Sequence, residues 1–442
     1  TIILHMLNIS THMVRGYMKK KWIIIWVLVF LLICSFALRI IGYNHEEKKQ
    51  VVFLNNFINI SDKLEEYEKS FEKLHPDIDI KIESVGDQYE NISIVRLNAN
   101  KAGDVMVIPS YMNLSDYPDY YEPLYSVGEA LNKYRFSDIK AIDDKVYSIP
   151  LSMTVSGGIL YDMKILNDAG ITKMPRSLDD LKEALRAVKT RTNAVPLYSN
   201  ARGEEQLISW NGLIYSIEGS NDYMTSMVNE NNIFSSDSRY YEVYKFLYEC
   251  VSENLIESPF TSSKWDGGLE LIKKGNLASA VVNFHMYEEA KQYALNSDSI
   301  EYFPLKSAGG DYYLYGEPSY GIGINKESKN KEEAKMWMEY LLDETDFLNY
   351  AGDAGMLVKN DKPEYENMAQ TNGLNIIYPD RVTEENIGKF EKIDNEACLG
   401  IYGGSFAFNL INSAAEGKNN YDKLCIDWNN RWNSASKEIN KK

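Results

Sequence analysis

Three rhythms of hydrophobic and polar positions divide this chain. From Trp22 to Leu38 there is no rhythm, only a run of seventeen uncharged, mostly apolar residues. Gly42 to Gln50 is polar and reads as a linker. Beyond it, continuous apolar runs alternate with segments of helical period. Val51-Val52-Phe53-Leu54 predicts a buried strand that ends in Asn55-Asn56. Asp62 with Glu65 three residues on has the form of a capping box. Leu64, Tyr67, Phe71 and Leu74 then mark one face of a helix that stops at His75-Pro76. Ile78, Ile80 and Ile82 alternate with charged residues, as in a half-exposed strand. Val105 to Ile108 predicts another buried strand, stopped by Pro109.

The same order recurs further on. Ile159 to Tyr161 predicts a strand. Ser177-Leu178-Asp179-Asp180 caps a helix whose inner face is Leu178, Leu181, Leu185 and Val188. Ala278 to Val282 and Tyr320 to Ile324 predict further buried strands. Asn330 caps a helix carrying Ala334, Trp337 and Leu341 inward, with Glu333 at its third position. There is no internal repeat and no low-complexity tract. Strand, helix, strand in succession is the signature of an open α/β sheet, and 442 residues are enough for two lobes.

Charge changes the meaning of the rhythmless run. Residues 1–45 hold five bases and no acid, whereas the whole chain carries a formal net charge of −17, so the body behind the head stands at −22. Lys19, Lys20 and Lys21 immediately precede the apolar run. The positive-inside rule therefore places the N-terminus in the cytoplasm and the body outside, at the extracytoplasmic face of the cell membrane. Residues 18–41 are read as a signal anchor or signal peptide and 1–17 as an upstream segment, with Met18 the expected start and Met6 and Met13 its rivals. Three fates of the head stay open: an uncleaved anchor, lipidation at Cys34, or cleavage near Ser35-Phe36-Ala37.

Composition then removes whole classes of function. An acidic body offers no basic patch for phosphates, so nucleic acid is excluded as a partner. A chain with 44% hydrophobic and 12% aromatic residues is not disordered. Cys250, Cys398 and Cys425 allow at most one disulfide, and Cys250 falls on an apolar helix face. From residue 51 on only His75 and His285 are available for catalysis. The sequence has no nucleophile elbow, zinc-protease motif or phosphate-binding loop. Asp143-Asp144 and Asp179-Asp180 could serve as glycosidase carboxylates but read better as a turn and a helix start. Neither catalysis, nor a cofactor, nor a metal is expected. Tyrosine is the enriched aromatic, 32 residues against 15 Phe and 7 Trp. A ring face with a hydroxyl at its edge suits sugars, although most single tyrosines serve as helix-face packing.

Several segments together resemble the extracellular solute-binding proteins of bacterial ABC sugar importers, of the maltose- and multiple-sugar-binding type. EEYEKSFEKLHPDIDIKIE (65–83) is similar to the family's first helix and second strand, and AGDVMVIPS (102–110) to the strand that leads into its cleft. The segment 143–185, which opens DDKVYSIPLSMTVSGGILYDMK, resembles the first passage between lobes. KKGNLASAVV (273–282), PSYGIGINKESKNKEEAKMWMEYLL (318–342) and NLINSAAEGKNNYDKLCIDWNNRW (409–432) follow in family order. One departure stands out. After ASAVV the family usually carries Gly-x-Trp, and here stands Phe284-His285-Met286. That stacking group is missing or moved to Tyr287, which argues against a maltose-like or long linear glycan.

The resemblance implies an α/β, two-lobed, periplasmic-binding-protein-like (type II) fold with three crossings, near 150–153, 302–305 and 366–370. Lobe I would comprise 51–152 plus 304–366, and lobe II 153–303 plus 367–442. Such a protein, expected to be monomeric, holds a carbohydrate between its lobes and delivers it to the permease subunits of an ABC transporter. Ligand sees the carboxyl ends of strands. This selects Asn55, Asn56 and Phe57, then Ser110 and Tyr111, and Met153 and Thr154 at the crossing. In the second lobe it selects Glu205, Gln206 and Trp210, the last matching a frequent cleft Trp, then Asn283, His285 and Tyr287. Tyr402, Ser405 and Phe406 lie where the family's last cleft aromatic falls. Two other readings remain: a surface carbohydrate-active enzyme, and a binder or sensor of another solute. Ferric iron held by Tyr120-Tyr121 and Tyr312-Tyr313 would be an example of the latter.

Overall fold

A computed structural model describes residues 26–35 and 48–442, apart from 87, 111, 203, 222, 382, 387, 402–404, 418, 419 and 442 and the side chains of 204–208, 224, 225 and 384. Residues 26–35 are helical. Among the described residues no helix is long and apolar enough to cross a membrane, and most of the expected membrane segment lies outside them.

The first sheet has five strands. In spatial order they are Ile78–Ser84, Lys49–Asn55, Val105–Val107, Gly321–Ile324 and Ile149–Pro150. The first three run parallel, and Gly321–Ile324 is antiparallel to the strands on both sides of it. The helix Ser61–Leu74 covers this sheet with Leu64, Tyr67 and Phe71, as its 3.6-residue spacing requires. Phe53 from the sheet and Phe71 from the helix both meet Trp337 edge-on, at 6.3 and 5.2 Å between ring centroids. Asp62 does not cap this helix. A 3-10 turn, Ile58–Ile60, runs straight into Ser61, and no side chain takes the capping position. Ser177 does cap its helix, accepting from the Asp180 amide.

A second sheet of three antiparallel strands, ordered Ile300–Pro304, Gly158–Asp162 and Ser279–Val282, carries a separate hydrophobic core of helices. Between the two lies a connecting sheet. Tyr313–Pro318 pairs antiparallel with Met153–Ser156 and parallel with Asn375–Ile377. The chain therefore leaves the first sheet after Pro150 and re-enters it at Gly321, with both passages hydrogen-bonded to each other. The passage expected at 302–305 is not there. Residues 300–304 pair along their length with 158–162, so this buried run stays within the second lobe. Residues 366–370 fall inside the helix Glu364–Thr371 rather than in a linking segment. Asp143 and Asp144 form the expected turn, both with positive φ, closed by an Ile142–Lys145 bridge. All four cysteines are free, and Cys250 is buried.

Candidate functional site

A cavity of about 90 Å³ lies where the two lobes and the connecting sheet meet. The first lobe supplies Ile108, Pro109 and Ser110, which leave the end of the strand Val105–Val107, then Met112 from the loop and Leu114 and Tyr117 from the short helical turns that follow. Ile139 and Lys140 reach in from the turn before Ile142. The second lobe contributes Tyr215 from the last turn of helix Glu204–Glu218, Ser220, Asn221 and Tyr223 just beyond it, and Glu391 from helix Lys389–Ala397. Tyr315 and Glu317 project from the connecting strand itself. The lobes also touch outside the cavity: Phe136 packs on Tyr378 at 4.5 Å, and Arg381 Nε donates to the Ala141 carbonyl at 3.3 Å. Gly388, at φ +65°, lies against Ser115, where a β-carbon would come within 2.9 Å of the hydroxyl.

The electrostatics of the cavity are set by its enclosure. Burial pushes the Glu317 carboxyl above its ordinary 4.5, an effect opposed by Lys140 and reinforced by Glu391. Burial raises Glu391 as well. The Lys140 amine is pushed below 10.5 by the same desolvation, which the charge of Glu317 opposes. The Lys140 and Glu317 side chains feel each other but form no ion pair or hydrogen bond with any described residue. A partly enclosed lysine and carboxylate left without direct partners are groups to which a bound polar molecule can offer hydrogen bonds. Tyr215 and Tyr315 meet at a tilt of 58° with centroids 4.6 Å apart, and Tyr215 and Tyr223 meet edge-on at 6.0 Å. The cavity thus combines ring faces with unpaired charged groups.

Of the residues the sequence singled out, Ser110 alone among the described ones lines this cavity, and its hydroxyl and amide are engaged by the Glu90 carboxylate at 3.0 and 2.8 Å. Trp210 is the main correction. It is 0% exposed in the second lobe's core, 6.4 Å from Phe246, so it cannot stack on a ligand. Tyr215, on the same helix and itself only 4% exposed, is the residue of that helix that borders the cavity. Phe406 is likewise core, packed against Phe234, Tyr244 and Trp428. Tyr287 is buried and stacked on Tyr302 at 5.2 Å, so it does not replace the family's missing cleft Trp. Asn283 is occupied as a helix cap on the Met286 amide. His285 and Ser405 are exposed but away from the cavity wall.

Asn55 is fully buried. Its Oδ1 accepts from the Phe57 amide and the Ser84 hydroxyl, which makes it a turn-former. Asn56 is half-buried, and Phe57 packs on Phe347. Met153 and Thr154 sit in the connecting sheet opposite Pro318 and Glu317, beside the cavity rather than in its wall. Tyr111 and Tyr402, and the side chains of Glu205 and Gln206, lie outside the described residues. The tyrosines suggested for iron are dispersed. Tyr121 is in the first core, the Tyr120 hydroxyl donates to Asn98, Tyr312 packs on Phe303, and the Tyr313 hydroxyl donates to Asp311. Among the described residues no cluster of His, Cys, Asp and Glu is arranged to hold a metal ion.

Two α/β lobes, two paired passages between them and a polar, aromatic cavity at their junction define a bilobal binding protein. Comparison with known proteins agrees. Residues 59–346 match the family of bacterial extracellular solute-binding proteins, and the chain belongs to that family. The melibiose/raffinose/stachyose-binding protein MelE of Bacillus subtilis is 23% identical over 281 residues, an alignment that spans 62% of this chain and 65% of that protein. Among solved structures, the binding protein of an ABC transporter from Bifidobacterium animalis subsp. lactis in complex with mannobiose superposes with a TM-score of 0.74 at 25% identity, covering 88% of this chain and 95% of its own. A sugar transporter from Bacillus licheniformis in complex with stachyose shares the fold, with a TM-score of 0.62 at 17% identity and coverage of 87% and 100%. These relatives are binding proteins, not enzymes.

Proposed function

We infer that this protein is the extracytoplasmic carbohydrate-binding component of an ABC importer, held at the membrane by its N-terminal segment. The observation that carries the reading is the inter-lobe cavity, where Tyr215, Tyr223 and Tyr315 stand beside Lys140, Glu317 and Glu391. Flat aromatic faces and hydrogen-bonding charges in one enclosed space match the alternation of C–H faces and hydroxyl edges on a sugar ring. The ligand would be contacted by both lobes only when they are closed, so its binding energy favours closure. The closed form would then dock on the permease subunits as a monomer. We place three crossings between the lobes, the two paired strands and a third passage over residues 357–364. Tethering is supported by the uncharged run 22–38 behind Lys19–Lys21.

The test is a thermal-shift screen of the purified chain against mono- and oligosaccharides, including mannobiose, raffinose and stachyose. A ligand that binds only the folded state raises the midpoint by mass action. At least one sugar is expected to do so in a saturable way. A flat response to the whole panel overturns the carbohydrate assignment.

A further inference from the structure

The charged groups of the cavity are unbalanced. Among its lining residues Lys140 is the one cation, against the carboxylates of Glu317, Glu391 and Asp380. Their origins matter as much as their number. Lys140 comes from the first lobe, Glu317 from the connecting strand and Glu391 from the second lobe, so the three converge only in the assembled cavity. Asp380 is already engaged, since its Oδ1 accepts from the Asn221 side chain at 2.8 Å. Lys140 is the counter-charge that Glu317 feels, and no other lysine or arginine among the described residues lines the space.

We propose that Lys140, Glu317 and Glu391 select by charge, so that the cavity accepts neutral sugars and rejects sugars bearing a carboxylate. This rests on the carbohydrate reading above. A neutral sugar donates hydroxyl hydrogens to the two carboxylates and accepts from the ammonium, and it leaves the Lys140–Glu317 attraction in place. A uronate placed among the same groups can pair with Lys140, but it competes with Glu317 for that single cation and adds a fourth negative charge to those of Glu317, Glu391 and Asp380. Like charges brought together in a poorly hydrated space repel strongly, and salt screens them little. Rejection is therefore built into the wall and does not need a steric block. It also follows that Glu317 and Glu391, not the tyrosines, discriminate between otherwise isosteric sugars, because ring stacking is indifferent to a carboxylate at the sugar's edge.

The test uses isothermal titration of the full chain with a neutral disaccharide that responds in the thermal screen and with its counterpart carrying a uronic acid. The same pair is then titrated into Glu317→Gln/Glu391→Gln. The wild-type chain is expected to bind the neutral sugar at least tenfold more tightly, and the double variant to lose at least tenfold of that preference. If the wild type binds the uronate as tightly as the neutral sugar, or if the double variant keeps the full preference, the proposal is overturned while the carbohydrate reading stands. Absence of binding to every sugar overturns both. Should the double variant fail to fold, Glu317→Gln alone carries the same comparison, with an expected loss of at least threefold of the preference.

Discussion

The two walls of the cavity are built on different plans. The first-lobe wall is mainly apolar, made by Ile108, Pro109, Met112, Leu114 and Ile139, with Lys140 as its one charge. The second-lobe and connecting-strand wall is aromatic and acidic, made by Tyr215, Tyr223, Tyr315, Glu317 and Glu391. The difference extends to backbone origin. On the first side the wall begins where the parallel strand Val105–Val107 ends, as the rule for open α/β sheets requires. On the second side it comes from the end of a helix, the loop beyond it and the face of a connecting strand. A ligand therefore meets an apolar floor on one side and most of its hydrogen-bonding partners on the other.

The sharpest way to break this contrast is Trp210→Ala. If Trp210 is core rather than wall, the substitution costs about 3–5 kcal/mol of folding stability, read by urea unfolding, because it empties a fully buried indole site. Sugar affinity per folded molecule should then change little. Lost affinity with intact stability would return Trp210 to the wall. Next in size, Tyr223→Ala should weaken sugar binding about tenfold by calorimetry, since one stacking surface is worth ~1–1.5 kcal/mol. Leu114→Ala on the opposite wall should cost only about threefold, because it removes apolar contact without a hydrogen-bonding partner. Equal losses at the two positions would mean that the walls do not differ in function.

The smallest effect is one of pH. The Glu317 carboxyl is raised above 4.5 in the folded state, so the native protein binds its proton more readily than the unfolded chain does. The cost of keeping this group charged is present above the folded pKa and is relieved as pH falls toward 4.5. Glu317→Gln should accordingly raise the ligand-free melting temperature at neutral pH and flatten its dependence on acidification. An unchanged slope would show that Glu317 is better solvated than its place in the wall implies.

These walls also explain what could be read in advance. The strands announced themselves because buried parallel strands are continuous apolar runs, as in Val51–Leu54 and Val105–Ile108. The α/β order followed from them, whereas the bilobal fold was implied by the family resemblance. Ser110 was legible by the strand-end rule. The helix-derived wall was not, because nothing in a 3.6-residue pattern says whether an aromatic faces the core or a cleft. Trp210 and Tyr215 are five residues apart and so point about 140° apart around the helix axis, and a resemblance chose the inward one. Residues 302–305 misled for a related reason. A short apolar run marks burial, not which of two adjoining sheets receives it. Lys140 lies in irregular turns with no periodic signal at all.

The antiparallel pairing of Met153–Ser156 with Tyr313–Pro318 has a mechanical consequence. Two strands that share hydrogen bonds twist as one ribbon, and points on the pivot sweep shorter arcs than points on the jaws. Glu317 rides on that pivot, opposite Thr154, whereas Lys140 and Glu391 ride on the jaws. In a molecule that opens and shuts as inferred, a sugar meets Glu317 at first encounter and the other two only on closing. Substitution at Glu317 should then alter how readily a sugar is captured, and substitution at Lys140 how long it stays.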